Sequence, residues 1–204
     1  MRLGVLISGR GSNLQAILDA TASQTLDADV RLVISNRADA QGLERAARAG
    51  VSACVLEHGA FATRSEFDAE LAARLLAAGV DWVVLAGFMR VLGQAFLSAF
   101  PDRVINVHPS LLPAFPGMRA QAQAVEYGAR VTGCTVHLVD AGTDTGPIIV
   151  QRCIQIAPME SVESVEARLL HEEHTALVRA LQLISAGQLS IETSSAGRRR
   201  VVVQ

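Results

Sequence analysis

The sequence predicts an α/β protein in which a parallel sheet is covered by helices on both faces. Short continuous apolar runs, such as residues 3–8 and 81–86, have the length and composition of buried parallel strands. Segments with apolar residues at helical spacing lie between these runs, and glycines mark several of the turns. This alternation along 204 residues predicts a doubly wound sheet.

The first half of the chain alternates strands and helices. Strands are predicted over residues 3–8, 30–35, 53–56 and 81–86. One helix ends at Gly50, where glycine is a common C-terminal residue. The helix over residues 65–76 is expected to bury Phe67, Leu71, Leu75 and Leu76.

The second half of the sequence predicts two antiparallel strands that extend this sheet. Residues 132–139 alternate as a half-exposed strand, and residues 148–156 return as its partner after a long loop. A long helix starts at Ser161, and residues 191–204 are expected to be a poorly packed C-terminal tail. The sequence therefore predicts a Rossmann-like three-layer fold, a parallel N-terminal sheet extended by an antiparallel C-terminal hairpin, in a single domain over residues 1–190.

The composition excludes several classes of protein. No apolar run approaches the roughly 20 residues that cross a bilayer, and the first strand is too short for a signal peptide, so a cytoplasmic location is expected. A net charge of -2 offers no broad basic surface for nucleic acid. Cys54, Cys134 and Cys153 have no C-x-x-C spacing, which predicts buried small side chains and neither a disulfide framework nor a metal site.

Residues 9–13, Gly-Arg-Gly-Ser-Asn, join the first strand to a helix. Free backbone N–H groups and the helix dipole at such a turn can receive an anion, and Ser12 or Asn13 can cap the helix or bind a phosphate. No Lys follows as in a Walker A loop, and the full G-x-G-x-x-G spacing is absent. A phosphate site and a plain strand-to-helix turn both remain open.

Residues 105–117 combine an apolar strand with a proline-rich loop. Asn106 and His108 are two residues apart, so in an extended strand their side chains point to the same face. An amide donor beside an imidazole suits stabilisation of a developing oxyanion. The alternative is structural, since a strand-end His can cap a turn and an Asn can bind loop backbone.

Two further loops carry candidate ligand groups. The loop over residues 140–147 carries Asp140 and Asp144, and it is longer than a hairpin needs. Phe88 and Met89 follow the fourth strand, where they could hold a flat heterocycle or belong to the core. Arg64, at a helix start, could meet a ligand carboxylate or only a Glu at the surface.

Four motifs occur together in the chain. They are S-G-R-G-S-N at 8–13, L-A-G-F-M-R at 85–90, N-V-H-P-S-L-L-P at 106–113 and D-T-G-P-I at 144–148. In this order the chain resembles the folate-dependent formyltransferases from residue 1 to about residue 190. The first motif is similar to that of the branch that acts on glycinamide ribonucleotide.

The resemblance implies an enzyme of purine (IMP) biosynthesis. It would transfer a formyl group from 10-formyltetrahydrofolate, its co-substrate, to the amine of glycinamide ribonucleotide. The resemblance implies only small-molecule partners, no metal, no nucleic acid and no membrane, and a monomer or homodimer.

The resemblance also implies roles for individual residues. The catalytic positions are Asn106, His108 and Asp144, with His108 as the proton donor. The ribonucleotide positions are Gly11, Ser12 and Asn13 for the phosphate and Glu173 for the ribose. The folate positions are Arg64, Met89, Arg90, Val91, Leu92, Asn106, Asp140, Ala141, Gly142, Thr143 and Asp144.

The chain departs from the family pattern at positions that include Arg119, Gln121 and Leu170. Arg119 and Gln121 replace histidines that usually follow the proline-rich loop, and Leu170 replaces a polar residue expected near the phosphate. Alternative functions are a formyltetrahydrofolate deformylase, the catalytic half of a tRNA formyltransferase, or a catalytically silent folate or nucleotide binder. A hydrolase with Ser110 as nucleophile is not supported, because no G-x-S-x-G elbow is present.

Overall fold

The computed structural model describes all 204 residues. The strands are β1 (Arg2–Ile7), β2 (Asp29–Ser35), β3 (Ala53–Val55), β4 (Trp82–Leu85), β5 (Val104–His108), β6 (Val131–Leu138), β7 (Ile148–Gln155), β8 (Leu189–Thr193) and β9 (Arg199–Val203). The helices are α1 (Ser12–Ala22), α2 (Gly42–Arg48), α3 (Arg64–Ala77), α4 (Gln94–Leu97), α5 (Ala120–Tyr127) and α6 (Val162–Ser185), with a 3-10 turn at His58–Ala60.

Seven strands form one sheet, flanked by helices, in the order β3-β2-β1-β4-β5-β6-β7. Strands β1 to β5 pair in parallel, whereas β6 and β7 pair antiparallel. The predicted fold class, a parallel N-terminal sheet extended by an antiparallel hairpin, is confirmed. The chain is divided into two compact units, residues 1–106 and residues 107–204.

The first unit is organised around strands that contain continuous apolar runs. Every residue of β1 after Arg2 is buried, as the continuous apolar run predicted. Helix α3 begins with a capping box, in which the Thr63 hydroxyl accepts the Glu66 N–H at 3.2 Å and the Glu66 carboxylate accepts the Thr63 N–H at 3.3 Å. Phe67, Leu71 and Leu75 are buried as predicted.

Leu76 is 53% exposed, so its predicted burial is wrong. The buried residues Phe67, Leu71 and Leu75 recur every fourth position and form one stripe along α3. A residue directly after the stripe lies about 100° further around a helix of 3.6 residues per turn, which turns Leu76 away from it.

The second unit contains β6 and β7 with α6 packed against both. The prediction that β6 is half exposed is wrong, because every residue after Val131 is buried. Its polar side chains find partners inside the protein. The Thr135 hydroxyl donates to the Ser110 carbonyl at 2.7 Å and accepts the Leu112 N–H at 3.0 Å. Polar alternation therefore does not indicate solvent on this strand.

Residues at the C-terminus form regular structure. The segment expected as a poorly packed tail contributes to the antiparallel pair β8–β9, and β9 contacts β7. Most side chains of the pair stay exposed or half exposed. None of the helices has the length and apolar character needed to cross a membrane.

The three cysteines differ in environment. Cys134 is buried, as predicted, and burial raises the pKa of its thiol to about 12. Cys54 is half buried. Cys153 is exposed on β7, so its predicted burial is wrong. A half-polar strand presents one of its two faces to solvent, and Cys153 lies on that face.

Candidate active site

The turn between β1 and α1, residues 9–13, is called the anion loop here. Gly11 is the N-cap residue of α1, with φ 71° and ψ 31°, and no side chain caps the helix. The first-turn N–H groups are therefore not occupied by a capping side chain, and they carry the positive end of the helix dipole. Side-chain capping of α1 by Ser12 is therefore not realised, and the exposed N–H groups are compatible with a phosphate site at this turn.

Helix α2 supports the anion loop from behind. The Gly42 N–H donates to the Gly9 carbonyl at 3.0 Å, and the Arg45 guanidinium donates to the Arg10 carbonyl at 2.8 Å. A Cβ atom on Gly11 would lie 2.6 Å from the Gly42 Cα. Two features therefore require glycine at position 11: its positive φ and this close approach to Gly42. Sequence reasoning missed Gly42 and Arg45, because 30 or more residues separate them from the loop.

The carboxyl ends of three parallel strands meet at one edge of the first unit. Leu6 of β1 pairs with Leu85 of β4, and Leu85 pairs with Asn106 of β5. The anion loop, the segment after β4 and Asn106 therefore lie at the same edge, where open α/β sheets bind ligands. Phe88 and Met89, which follow β4, differ in exposure. Phe88 is buried and belongs to the core, whereas Met89 is 74% exposed.

Arg64 is the first residue of α3. Its guanidinium Nε lies 3.7 Å from the Asp68 carboxylate, and half of the Arg64 side chain is exposed. Arg64 therefore meets a buried Asp of its own helix, while its exposed part remains available to a ligand carboxylate.

In the second unit His108, His137 and Asp144 form what is called here the His–Asp cluster. His108 Nδ1 lies 3.3 Å from Asp144 Oδ2, and His137 Nε2 lies 3.7 Å from Asp144 Oδ1. Both histidines are nearly inaccessible, at 4% and 2% exposure. The sequence analysis placed Asp144 near His108, which the distance bears out, but it did not identify His137.

Backbone atoms orient both histidines and the carboxylate. His108 Nε2 lies 2.9 Å from the Phe115 carbonyl, and His137 Nδ1 lies 2.9 Å from the Leu138 carbonyl. The Gly117 N–H donates to Asp144 Oδ2 at 2.8 Å. Each imidazole therefore has one oxygen near each of its two ring nitrogens.

The carboxylate of Asp144 is held in its charged form. Burial by itself raises the pKa of Asp144, but the hydrogen bond from His137, the Gly117 N–H and the charge of His108 together leave that pKa below its ordinary value. Asp144 therefore stays anionic in mildly acidic solution and can balance an imidazolium at His108.

The loops of the cluster contain uncommon backbone conformations. Phe115, Arg119 and Asp144 have φ of 51°, 57° and 56°, which non-glycine residues rarely adopt. Two of these residues supply atoms to the cluster. Strain of this kind, about 1–3 kcal/mol for each residue, concentrates at functional sites. Ser110 is fully buried and donates to the Ala114 carbonyl at 2.6 Å, which leaves no role for it as a nucleophile.

Comparison with known proteins decides the family. A formyl transferase family model matches residues 1–181. The chain belongs to the formyl transferase family. It is 41% identical to the phosphoribosylglycinamide formyltransferase of Escherichia coli strain K12, over 96% of this chain and 92% of that protein.

Other relatives are larger or have solved structures. The chain is 50% identical to the trifunctional purine biosynthetic protein adenosine-3 of Drosophila melanogaster, over 95% of this chain but only 15% of that protein. It thus spans about one seventh of that relative's length. The structure of glycinamide ribonucleotide transformylase 1 from Symbiobacterium toebii superposes with a TM-score of 0.96 at 52% identity, covering 100% of this chain and 93% of the other.

The remaining family positions are divided between the two units. Glu173 is buried on α6, and Asp140 organises the loop over residues 140–144 by accepting the Gly142 N–H at 3.0 Å and the Thr145 hydroxyl at 2.6 Å. Ala141, Gly142 and Thr143 are exposed.

The positions that depart from the family pattern are also defined. The Arg119 guanidinium lies 3.6 Å from the exposed carboxylate of Glu126, so this replacement of a histidine points toward solvent. Gln121 and Leu170 are half buried. His, Cys, Asp and Glu side chains form no group of three that could hold a metal ion.

Proposed function

We propose that this chain transfers the formyl group of 10-formyltetrahydrofolate to the amine of phosphoribosylglycinamide. The products are N-formylglycinamide ribonucleotide and tetrahydrofolate, in purine (IMP) biosynthesis. The observation that carries the proposal is the His108–Asp144 pair at 3.3 Å, at the end of the strand that also bears Asn106. The names of the full-length bacterial relatives support the same reaction.

The chemistry assigns separate tasks to the three catalytic residues. The substrate amine attacks the formyl carbon and produces a tetrahedral intermediate with a negatively charged oxygen. The Asn106 amide donates a hydrogen bond to this oxygen, and protonated His108 stabilises it by its positive charge. Asp144 in turn stabilises the imidazolium, because an opposite charge favours the charged form.

Proton transfer completes the reaction. The attacking amine must lose a proton, and the departing folate nitrogen must gain one. Both His108 nitrogens face oxygens of the resting site, Phe115 carbonyl and Asp144 carboxylate. His108 can donate its proton to the substrate only by exchanging one of these partners, and Asp144 or a bound water can carry the proton onward.

The substrate-binding residues follow the family positions. Gly11, Ser12 and Asn13 bind the phosphate through the start of α1, and Glu173 binds the ribose. Arg64, Met89, Arg90, Val91 and Leu92 bind the folate together with residues 140–144. The uncapped N-terminus of α1 supports the first assignment, and the exposed Met89 beside buried Phe88 supports the second.

The proposal requires small molecules alone. It involves no metal, no nucleic acid and no membrane, and it places the chain in the cytoplasm as a monomer or homodimer. Size-exclusion chromatography with light scattering measures the oligomeric state.

A steady-state assay tests the reaction. Purified protein is mixed with 10-formyltetrahydrofolate and glycinamide ribonucleotide, and tetrahydrofolate formation is followed. We expect turnover that depends on the ribonucleotide, and a decrease of kcat by about 10²–10³-fold in His108→Ala. Replacement of the exposed His58 by Ala is the matched control.

Two results would contradict the proposal. Release of formate without the ribonucleotide would identify a deformylase. Tetrahydrofolate binding with no transfer to the amine would identify a silent binder.

A further inference from the structure

The segment after β4 is fixed at both ends by side chains that lie outside it. We call residues 89–92 the donor segment, because they are the family's folate positions. It has no regular secondary structure, and Met89 and Val91 are 74% and 56% exposed. An irregular exposed segment needs other contacts to hold one conformation.

The first contact comes from Ser8, the residue directly after β1. The Met89 N–H donates to the Ser8 hydroxyl at 2.8 Å, and the same hydroxyl donates to the Asn36 side-chain carbonyl at 2.6 Å. Ser8 and Asn36 are each 7% exposed. The Ser8 hydroxyl thus has both a donor and an acceptor partner, and its orientation is determined.

The second contact comes from α3. The Gly93 N–H, directly after the donor segment, donates to Asp68 Oδ2 at 2.7 Å. Asp68 is 1% exposed, and its other oxygen is buried without a hydrogen-bond partner. A Cβ atom on Gly93 would lie 2.8 Å from the same carboxylate oxygen, so glycine permits this approach.

The side of α3 that carries Asp68 also meets the middle of the segment. The Arg90 guanidinium lies over the Phe67 ring, with its central carbon 5.7 Å from the ring centroid. The Arg64 Nε atom lies 3.7 Å from Asp68 Oδ2, whereas Oδ1 is buried without a hydrogen-bond partner. A buried carboxylate with an unsatisfied oxygen is costly for stability, which indicates a requirement at this position other than packing.

We propose that Ser8 and Asp68 are positioning residues for the folate donor. They hold the two ends of the donor segment, so that residues between them present one preformed surface to the heterocycle. The proposal rests on the proposed function, since it takes residues 89–92 as the folate-binding segment. Loss of either contact leaves a segment that must be ordered when the donor binds, which weakens donor affinity.

Kinetic constants of four variants test this role. Asp68→Leu and Ser8→Ala each remove an acceptor, and we expect each to raise the KM for 10-formyltetrahydrofolate by about tenfold. The KM for glycinamide ribonucleotide and kcat should change by less than about twofold. Asp68→Asn keeps an oxygen for the Gly93 N–H and should stay close to wild type. Asp29→Leu, at an exposed aspartate, is the control.

The outcomes separate positioning from plain stabilisation. Equal increases in both KM values, or a lower melting temperature with no change in either, would overturn the proposal. So would an Asp68→Asn variant as impaired as Asp68→Leu, because the charge would then matter and the hydrogen bond would not. If Asp68→Leu does not fold, the Ser8→Ala measurement decides in the same way.

Binding of tetrahydrofolate, measured by calorimetry on the same variants, distinguishes this proposal from the proposed function. If the wild type transfers no formyl group, the proposed function fails. Weaker tetrahydrofolate binding by Ser8→Ala and Asp68→Leu would still support the positioning role, and unchanged binding would overturn it.

Discussion

The anion loop and the His–Asp cluster present their polar groups by different means. In the anion loop the groups are backbone N–H, and Gly11 makes the conformation possible by its φ of 71°. In the cluster the groups are side chains, and backbone atoms of Phe115 and Gly117 orient them. The loop should therefore tolerate changes of side chain but not an added Cβ atom, whereas the cluster should depend on the side chains of His108 and Asp144.

The largest effect is expected for Asp144→Asn. The asparagine can still accept the Gly117 N–H, but it carries no charge to stabilise the imidazolium of His108. We expect kcat to fall by about 10²–10³-fold with little change in melting temperature. Rapid-quench or steady-state kinetics measure the loss, with Asp39→Asn at an exposed carboxylate as control. A kcat close to wild type would show that the shape of residue 144 matters and its charge does not.

The anion loop provides the second test. Gly11→Ala places a Cβ atom 2.6 Å from the Gly42 Cα, so the loop must move. We expect the KM for the ribonucleotide to rise about tenfold or more, or the free energy of unfolding to fall by about 1–3 kcal/mol. Ser12→Ala keeps the backbone N–H and should change that KM at most about threefold, or about 0.6 kcal/mol. The comparison between the two regions fails if Ser12→Ala is the more damaging variant.

The smallest effect at neutral pH is expected for His137→Phe, which keeps a ring of similar size. In the wild type the lowered pKa of Asp144 keeps the carboxylate charged, so activity that requires it is present above this pKa and lost as pH falls through it. Loss of the His137 contact removes one of the groups that lower the pKa of Asp144, so that pKa rises relative to wild type. The acid limb of the kcat/KM profile should then move to higher pH, with the plateau near that of wild type. If the acid limb of the profile does not move, a group other than Asp144 causes the loss of activity at low pH.

Much of the fold could be predicted from the sequence because it depends on local patterns. The apolar run of β1 and the stripe Phe67, Leu71, Leu75 of α3 lie where their periods place them. Errors arose where burial depends on neighbours. The alternation over residues 132–139 predicts a half-exposed strand, yet Thr135 is fully buried because the loop after β5 supplies its hydrogen-bond partners.

The sequence by itself determined the family, the succession of the seven strands of the main sheet, and the expectation that Asn106, His108 and Asp144 act together. These depend on short motifs and on repeats of two or about four residues, which a chain shows before it folds. The assigned roles of these residues, and of the substrate-binding positions, remain predictions for the kinetic tests.

Only the tertiary structure decided which residues support the site. These residues are His137 at Asp144, Arg45 behind the anion loop, and Ser8 and Asp68 at the donor segment. The number of residues between each of them and the group that it contacts follows no regular spacing. Their contacts arise from the pairing of strands and the packing of helices, and an isolated sequence carries no local pattern of such contacts.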